Sequence, residues 1–546
     1  MERWYRNTVI YSLDVSMFQD ANGDGIGDLP GLISRLDYLS RLGVGTIWLN
    51  PIYPSPRLDG GYDITDYYTI DPRFGSLGDF SELLNQADEL GLRIMLDLVV
   101  NHTSDQHPWF QSARADPDSP YRDWYVWSET EPPDRWLGTA FPGVEKETWT
   151  HDPVADAWYR HRFYRWQPDL NTDNPEVRAE IYKIIGYWLR LGVAGFRIDA
   201  APFLVESRRP DEPTTWPDYG LLRQIRETVS WRRADAVLLA EANVGDEELL
   251  EYFGEGDGEP TRMMMLFAFR LNQAIMLALA REDAGPVRAV LDRLPDLPRH
   301  AQWATFLRNH DEVDLGRLSD DEREDVFAAF GPEPDMRLYD RGIRRRLAPM
   351  LAGDRRRLEM AYSLQLTMPG TPVLRYGDEI GMGEDLSRPE REAIRTPMQW
   401  SHTDNAGFSR AEPEQLIAPP IGAGPYGYPK INVTEQRLDP NSLLTWFERI
   451  LHTRRECEEI GTGEHQVLDS GQPHVLVHTA TGQRGRTLFL HNLSPDPCHC
   501  SLDPRLAGDS TPLGLAADAD YGTGVDLTAI DLNGYGYRWI RLHRSF

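Results

Sequence analysis

Seven or eight short apolar runs, separated by stretches with helical spacing, constrain this chain more than any other feature. They lie at residues 9–15, 46–50, 93–100, 195–199, 236–241, 263–269, 304–308 and 372–376. Strands buried on both faces read as continuous apolar runs, and strands alternating with helices build a parallel sheet. Eight such units close into a (β/α)8 barrel, whose strands all end at one mouth where side chains meet a ligand. The run that ends in Gly195-Phe-Arg-Ile-Asp199 therefore aims an acid at that mouth.

The remaining sequence attaches to this frame. Residues 104–167, between the third and fourth strands, are rich in Trp, Tyr, Pro and Asp, with few helical signals. Long insertions in compact domains usually serve function, so this one is expected to form a lid. A polar, Pro/Gly-rich linker at 401–441 and a helix at 442–458 follow the eighth strand. Strand-like segments at 466–478, 486–493 and 537–543 then announce an antiparallel β-domain. The expected fold is α/β: a TIM barrel from 1–103 and 168–459, an inserted lid domain at 104–167, and a C-terminal β-domain at 460–546.

Composition serves mainly to exclude. A net charge of −29 disfavours nucleic acid and anionic membrane surfaces as partners. No run of eighteen apolar residues is present, and the first residues lack a basic segment leading into an apolar one. A cytoplasmic location is expected. Cys457, Cys498 and Cys500 form no disulfide framework, and Cys498-His499-Cys500 alone cannot close a tetrahedral metal cage.

Chemistry concentrates in three acids that end three different apolar runs: Asp199, Glu241 and Asp311. One carboxylate after a strand is usually a helix cap. Three at one barrel mouth, with Arg197 and His310 beside them, argue for catalysis. Two carboxyl groups about 5–5.5 Å apart perform retaining glycoside chemistry, one as nucleophile and one as acid and then base. Arg197 is expected to keep Asp199 ionised, while Glu241 needs a pocket that raises its pKa. In Asp59-Gly-Gly-Tyr62-Asp63 the glycines allow close backbone approach and the tyrosine offers a flat face to a sugar ring. Asp20-Ala-Asn22-Gly-Asp24-Gly-Ile26-Gly-Asp28 alternates oxygen side chains with glycines, which suits a hard cation; a metal-free Asx turn is the competing expectation.

In their order, Asp97-Leu-Val-Val-Asn-His102, Gly195-Phe-Arg-Ile-Asp199, Glu241-Ala-Asn243 and Arg308-Asn-His-Asp311 resemble the motifs of the α-amylase family, glycoside hydrolase family 13. The resemblance covers nearly all of the chain. It implies Asp199 as nucleophile, Glu241 as acid/base and Asp311 as the acid that holds and distorts the reacting glucose. Tyr62, His102, Arg197 and His310 match the pocket around that glucose. Asp20, Asn22, Asp24, Ile26 and Asp28 match a structural Ca²⁺ loop, with Mg²⁺ as the alternative ion. No organic cofactor is implied.

Asp59 and Arg391 match a pair that blocks the pocket's far end, and Gln167-Pro-Asp-Leu-Asn171 has the form of the α-glucosidase and trehalose synthase branch. Residues 101–110, 161–164, 239–243, 308–312 and 341–350 are similar to the trehalose synthases within it. That branch implies a small disaccharide as partner and interconversion of maltose and trehalose, with side hydrolysis; self-association into a homo-oligomer is compatible with it. A hydrolytic exo-acting α-glucosidase with the same acids is the alternative. The sequence departs from the branch at Asp97, around 130–145 and at Val244-Gly245-Asp246 on the acceptor side.

Overall fold

The computed structural model describes residues 3–206, 217–254, 258–508, 510–522 and 524–544. Eight parallel strands close into a barrel: β1 (Ile10–Leu13), β2 (Thr46–Leu49), β3 (Arg93–Leu98), β4 (Gly195–Ile198), β5 (Val237–Ala240), β6 (Met265–Phe267), β7 (Gln302–Thr305) and β8 (Thr371–Arg375). β8 pairs with β1, which completes the ring. All eight apolar runs thus become strands. The seventh starts and ends earlier than expected, because 306–308 already belong to the loop that carries the site.

Inside the barrel Ile10, Trp48, Met95, Val237, Leu239, Met265, Phe267, Ala304 and Val373 pack into one apolar cluster. These are alternate strand positions, so the residues two further along each strand also face inward, one layer closer to the mouth. That polar layer includes Ser12, Asn50, Asp97 and Arg197. Helices on the outside show ordinary start and stop signals. The helix Pro175–Leu191 begins with Asn174 accepting from Glu176 N and ends at Gly192. Helix Leu77–Glu89 begins with a capping box between Ser76 and Asp79. At Gly195 a Cβ would lie 2.2 Å from the Val237 carbonyl, so β4 and β5 can approach only without a side chain there.

Residues 104–167 contain more regular structure than their composition suggested. A helix, Pro108–Ala115, is started by His107 and Pro108, and strands Trp127–Ser128, Trp149–Asp152 and Ala157–Arg160 form a small antiparallel sheet. Aromatic contacts bind these together: Phe110 stacks on Trp127 and meets Tyr125 and Tyr159 edge-on. The polar stretch 401–441 likewise contains a helix, Val433–Leu438.

The C-terminal sheet has the order β9 (Glu464–Leu468), β10 (Val475–Gly482), β11 (Gly485–Asn492), β13 (Tyr537–Arg544) and β12 (Leu513–Ala517). The single segment expected at 466–478 is two strands, with a loop at residues 469–474 between them. The sheet packs on the barrel helix Arg355–Thr367. His465, His478 and His491, one from each of β9, β10 and β11, form a row of rings with centroids 6.0 and 6.2 Å apart. His478 and His491 are fully buried and lie within hydrogen-bond distance of Thr367 and Ser363 of that helix. Among the described residues no helix is long and apolar enough to cross a membrane.

Candidate active site

The three acids meet at the carboxyl ends of the strands. Asp199, Glu241 and Asp311 line a single cavity of about 570 Å³, together with Asp59, Tyr62, His102, His310 and Arg391. Arg197 lies beneath it, 1% exposed, and ties the floor together. Its Nη1 donates to Asp97 Oδ1 at 2.9 Å and Asp199 Oδ1 at 2.5 Å, and its Nη2 donates to Glu241 Oε2 at 2.6 Å. One guanidinium thus holds three carboxyl groups together, Asp199 and Glu241 among them. Just after Asp199 the chain turns through a left-handed Ala200 (φ 50°), which brings its amide 3.4 Å from Glu241 Oε2.

Electrostatics separate the acids. Burial is the largest influence on both Asp199 and Glu241 and pushes each up to about 7; Arg197 opposes it, and the charges of neighbouring acids add to it. Arg197 alone therefore does not keep Asp199 fully ionised. The two groups titrate as a pair that holds about one proton near neutrality. Asp311 goes the other way. Burial raises it, but the surrounding donors outweigh burial and hold it well below the usual carboxylate range. Burial and nearby arginines push His310 well below its ordinary pKa, so it meets Asp311 as a neutral ring. The charge compensation falls to Arg391 and Arg395, whose Nη atoms lie 2.8 and 3.2 Å from Asp311 Oδ1.

The far end of the cavity is closed by ion pairs. Arg391 Nη2 donates to Asp59 Oδ1 at 2.6 Å, and Gln167 Nε2 donates to Asp59 Oδ2 at 3.1 Å. The Asp59–Tyr62 turn needs its glycines: a Cβ on Gly60, itself at φ 58°, would sit 2.5 Å from Arg395 Nη1. Tyr62 stacks on His310, with centroids 5.3 Å apart, and donates its hydroxyl to Asp97 Oδ2 at 3.0 Å. His102 Nε2 lies 3.1 Å from the Tyr62 carbonyl, and burial lowers its pKa. The floor, the far wall and the aromatic face are thus one hydrogen-bonded unit.

The family description "Alpha amylase, catalytic domain" matches residues 13–329 and 344–463. The chain belongs to the α-amylase family. The trehalose synthase/amylase TreS of Mycobacterium tuberculosis is 42% identical over 543 residues, which covers 99% of this chain and 90% of that protein. The trehalose synthase of Thermus thermophilus is 45% identical over 493 residues, covering 90% of this chain and 50% of its own length. Among solved structures, the isomaltulose synthase PalI of Klebsiella sp. LX3 superposes with a TM-score of 0.79 at 26% identity, over 98% of this chain and 99% of that one.

Several residues of this α-amylase-family pocket escaped sequence reasoning. Asp97 stood in a quoted motif, yet only the structure shows it as the shared acceptor of Trp48, Tyr62 and Arg197. Arg395 was visible as the first residue of Arg-Thr-Pro-Met-Gln-Trp, but nothing local revealed its reach to Asp311. Phe141 and Phe163 come from the insertion and Phe203 from the short helix Ala201–Leu204 after β4; no sequence signal marked them as pocket walls. Glu312 also lines the cavity and is pushed up to about 7 by burial and by Asp311. At the rim, Arg162 pairs with Glu206, and Arg317 donates to the Asn243 carbonyl at 2.6 Å.

The loop at 20–28 leads directly into the helix Leu29–Ile33, which Asp28 caps. Asp20 accepts from the Gly23 and Gly25 amides and from Ser409, Asn22 from Asp24, Asp24 from Ile26, and Asp28 from Ala21, Asn22 and Gly31. These bonds pin an all-oxygen set, and Asn22 and Asp24 keep acceptor capacity beyond the single amide each one takes. Oxygen donors are the ligand type a hard cation takes. Among the described residues no group of three or more His, Cys, Asp or Glu side chains is gathered closely enough to hold an ion. An ion here would therefore also need the Asn22 amide oxygen and the Ile26 carbonyl.

Proposed function

We propose that this enzyme interconverts maltose and trehalose by retaining glucosyl transfer, with Asp199 as nucleophile and Glu241 as acid/base. The observation that carries the reading is the pocket itself. The carboxyl pair sits at the floor of a cavity sealed at its far end by Asp59 and Arg391, so only a terminal glucose fits against it. Its volume lies in the range of small-ligand sites. Similarity over 99% of this chain and 90% of a protein named trehalose synthase/amylase supports the same choice of reaction.

In the first half-reaction Asp199 attacks the anomeric carbon of the non-reducing glucose as Glu241 gives its proton to the departing oxygen. The products are a β-glucosyl ester on Asp199 and a free glucose. That glucose turns within the pocket, and its anomeric hydroxyl attacks the ester while Glu241 takes the proton back. Asp311, kept anionic by Arg391 and Arg395, accepts hydrogen bonds from the sugar's hydroxyls. Phe141, Phe163 and Phe203 limit the access of water during the turn; water that reaches the ester instead releases glucose.

The loop at 20–28 would hold a structural Ca²⁺ through Asp20, Asn22, Asp24, Ile26 and Asp28, remote from the chemistry. The reading includes a cytoplasmic location and a free disaccharide substrate, and sedimentation velocity would test self-association. Incubation with maltose and chromatography of the products decides the central claim. Trehalose in excess over glucose is the expected result; glucose alone would replace the isomerase by a hydrolytic α-glucosidase.

A further inference from the structure

Two thiols lie side by side in the C-terminal domain, and neither lines the sugar pocket. Cys498 and Cys500 are two residues apart on the short strand Cys498–Cys500, so their side chains share one face. That face meets the domain's own apolar core, where Cys500, 1% exposed, clusters with Val475, Leu490, Leu527 and Ile530. Cys498 is half-buried at the edge of the same cluster. The strand has one partner, Ile530–Leu532, which sets Cys498 opposite Leu532 and Cys500 opposite Ile530. His499, between them, is exposed and pairs with Asp531. All three cysteines of the chain are free thiols.

A third group comes from the loop before β10. His474 is held by its carbonyl, which accepts from the Leu493 amide at 2.9 Å. Its ring and the Cys500 thiol both stand within hydrogen-bonding reach of the Cys498 sulfur. The Cys500 thiol has the largest influence on Cys498. With His474 it outweighs burial and lowers the Cys498 pKa to about 6, while Cys500 itself is raised. Near neutrality the pair therefore keeps one proton, on Cys500, and leaves Cys498 as a half-buried thiolate. The thiolate is the nucleophilic form. Cys457 supplies the contrast within the same chain: it is 0% exposed, and burial pushes its thiol up to about 11 despite Arg541.

We propose that Cys498 is a modification site, a thiol that reacts with hydrogen peroxide and is then resolved by Cys500 to an intramolecular disulfide. The Cys498 sulfur attacks one peroxide oxygen and the O–O bond breaks. Hydroxide leaves, takes a proton and becomes water, and Cys498 is left as a sulfenic acid. The Cys500 sulfur then attacks the Cys498 sulfur, the S–S bond forms, and the hydroxyl departs with the Cys500 proton as a second water. The two thiols lose two electrons and the peroxide gains them. Residues two apart on an extended strand have Cα atoms about 6.6 Å apart, at the upper end of what a disulfide spans. Closure therefore needs only a slight shortening of a three-residue strand with a single partner.

The test uses the full chain, reduced and then freed of reductant. Iodoacetamide labelling near neutral pH, read by peptide mass spectrometry, should modify Cys498 at least about a hundredfold faster than Cys457, as their thiolate fractions require. Stoichiometric hydrogen peroxide should remove two hydrogens from the peptide that carries Cys498 and Cys500 and block its alkylation, and dithiothreitol should reverse both effects. In Cys500→Ser the sulfenic acid should persist at Cys498 and be captured by dimedone. If that variant fails to fold, Cys498→Ser decides in its place, because it should leave Cys500 unreactive toward peroxide. Equal labelling of Cys457 and Cys498, oxidation to sulfinic acid without an intramolecular disulfide, or peroxide reactivity that survives Cys498→Ser would overturn the proposal.

Discussion

Acid should loosen the C-terminal domain through its row of buried histidines. In the folded chain burial pushes His465 down to about 4 and His491 to about 3, and His478, flanked by both, goes well below its ordinary value. A histidine exposed by unfolding titrates near 6.5. Since the unfolded form then binds more protons, the stabilising contribution is complete above about 6.5 and declines as pH falls. At pH 5 an exposed histidine is almost fully protonated, whereas a buried one with a pKa of 4 or below is not. The difference is about 2 kcal/mol per ring, so His465 and His491 together lose about 4 kcal/mol between pH 8 and pH 5. His478 adds in the same direction. Opening also breaks the contacts of His478 with Thr367 and of His491 with Ser363, which join the sheet to the barrel.

The assay is urea unfolding followed by tryptophan fluorescence at both pH values, in the wild type and in His465→Gln/His491→Gln. Trp539 reports on the interface, because its indole N–H donates to Ser363 at 2.8 Å. Acids raised by burial, such as Glu379, gain stability as pH falls, but they do so in both proteins and cancel in the comparison. The double variant should show a pH-dependent loss smaller by about 4 kcal/mol. An unchanged loss would mean that the three rings do not control docking.

Asp199→Ala should abolish turnover while circular dichroism and Tm stay close to wild type; activity above a trace would remove the nucleophile from its role. Arg391→Ala leaves Asp59 buried with Gln167 and a guanidinium 3.9 Å away, so kcat/KM for maltose should fall on the order of 10²-fold as the far wall opens, and maltotriose should be discriminated against less. The shared proton of Asp199 and Glu241 predicts a bell-shaped kcat/KM centred near pH 7. Its alkaline arm is the loss of that proton and its acid arm the gain of a second, and a profile flat across two pH units would contradict the pairing. Removal of divalent ions with a chelator should lower Tm and Ca²⁺ should restore it, whereas Asp24→Ala should be insensitive to both.

Much of this was legible in one dimension. Apolar runs with a period near forty residues early in the chain announce parallel strands, because such strands are buried on both faces and cannot alternate. Asp199, Glu241 and Asp311 stand out because an acid directly after such a run has few neutral explanations when three share a mouth. The insertion was harder to read, since its order comes from aromatic packing between Phe110, Trp127 and Tyr159, and rings carry no helical or strand period. The C-terminal strands blurred together because the loop at 469–474 that interrupts 466–478 is short, although it holds Gly471 and Pro473.

By itself the sequence determined the barrel and the three acids, which depend on local patterning and on residue type, whereas the pair Asp59 and Arg391 was implied only by the family resemblance. Only the tertiary structure decided how protons are shared: burial places Asp199 and Glu241 at a common value near 7, whereas Arg391 and Arg395 keep Asp311 anionic. The row of histidines under the C-terminal sheet and the approach of His474 to Cys498 also exist only in three dimensions. Desolvation and the distances between charges depend on which strands become neighbours, and residues as far apart as Ser12 and Arg375 meet only when β8 closes on β1.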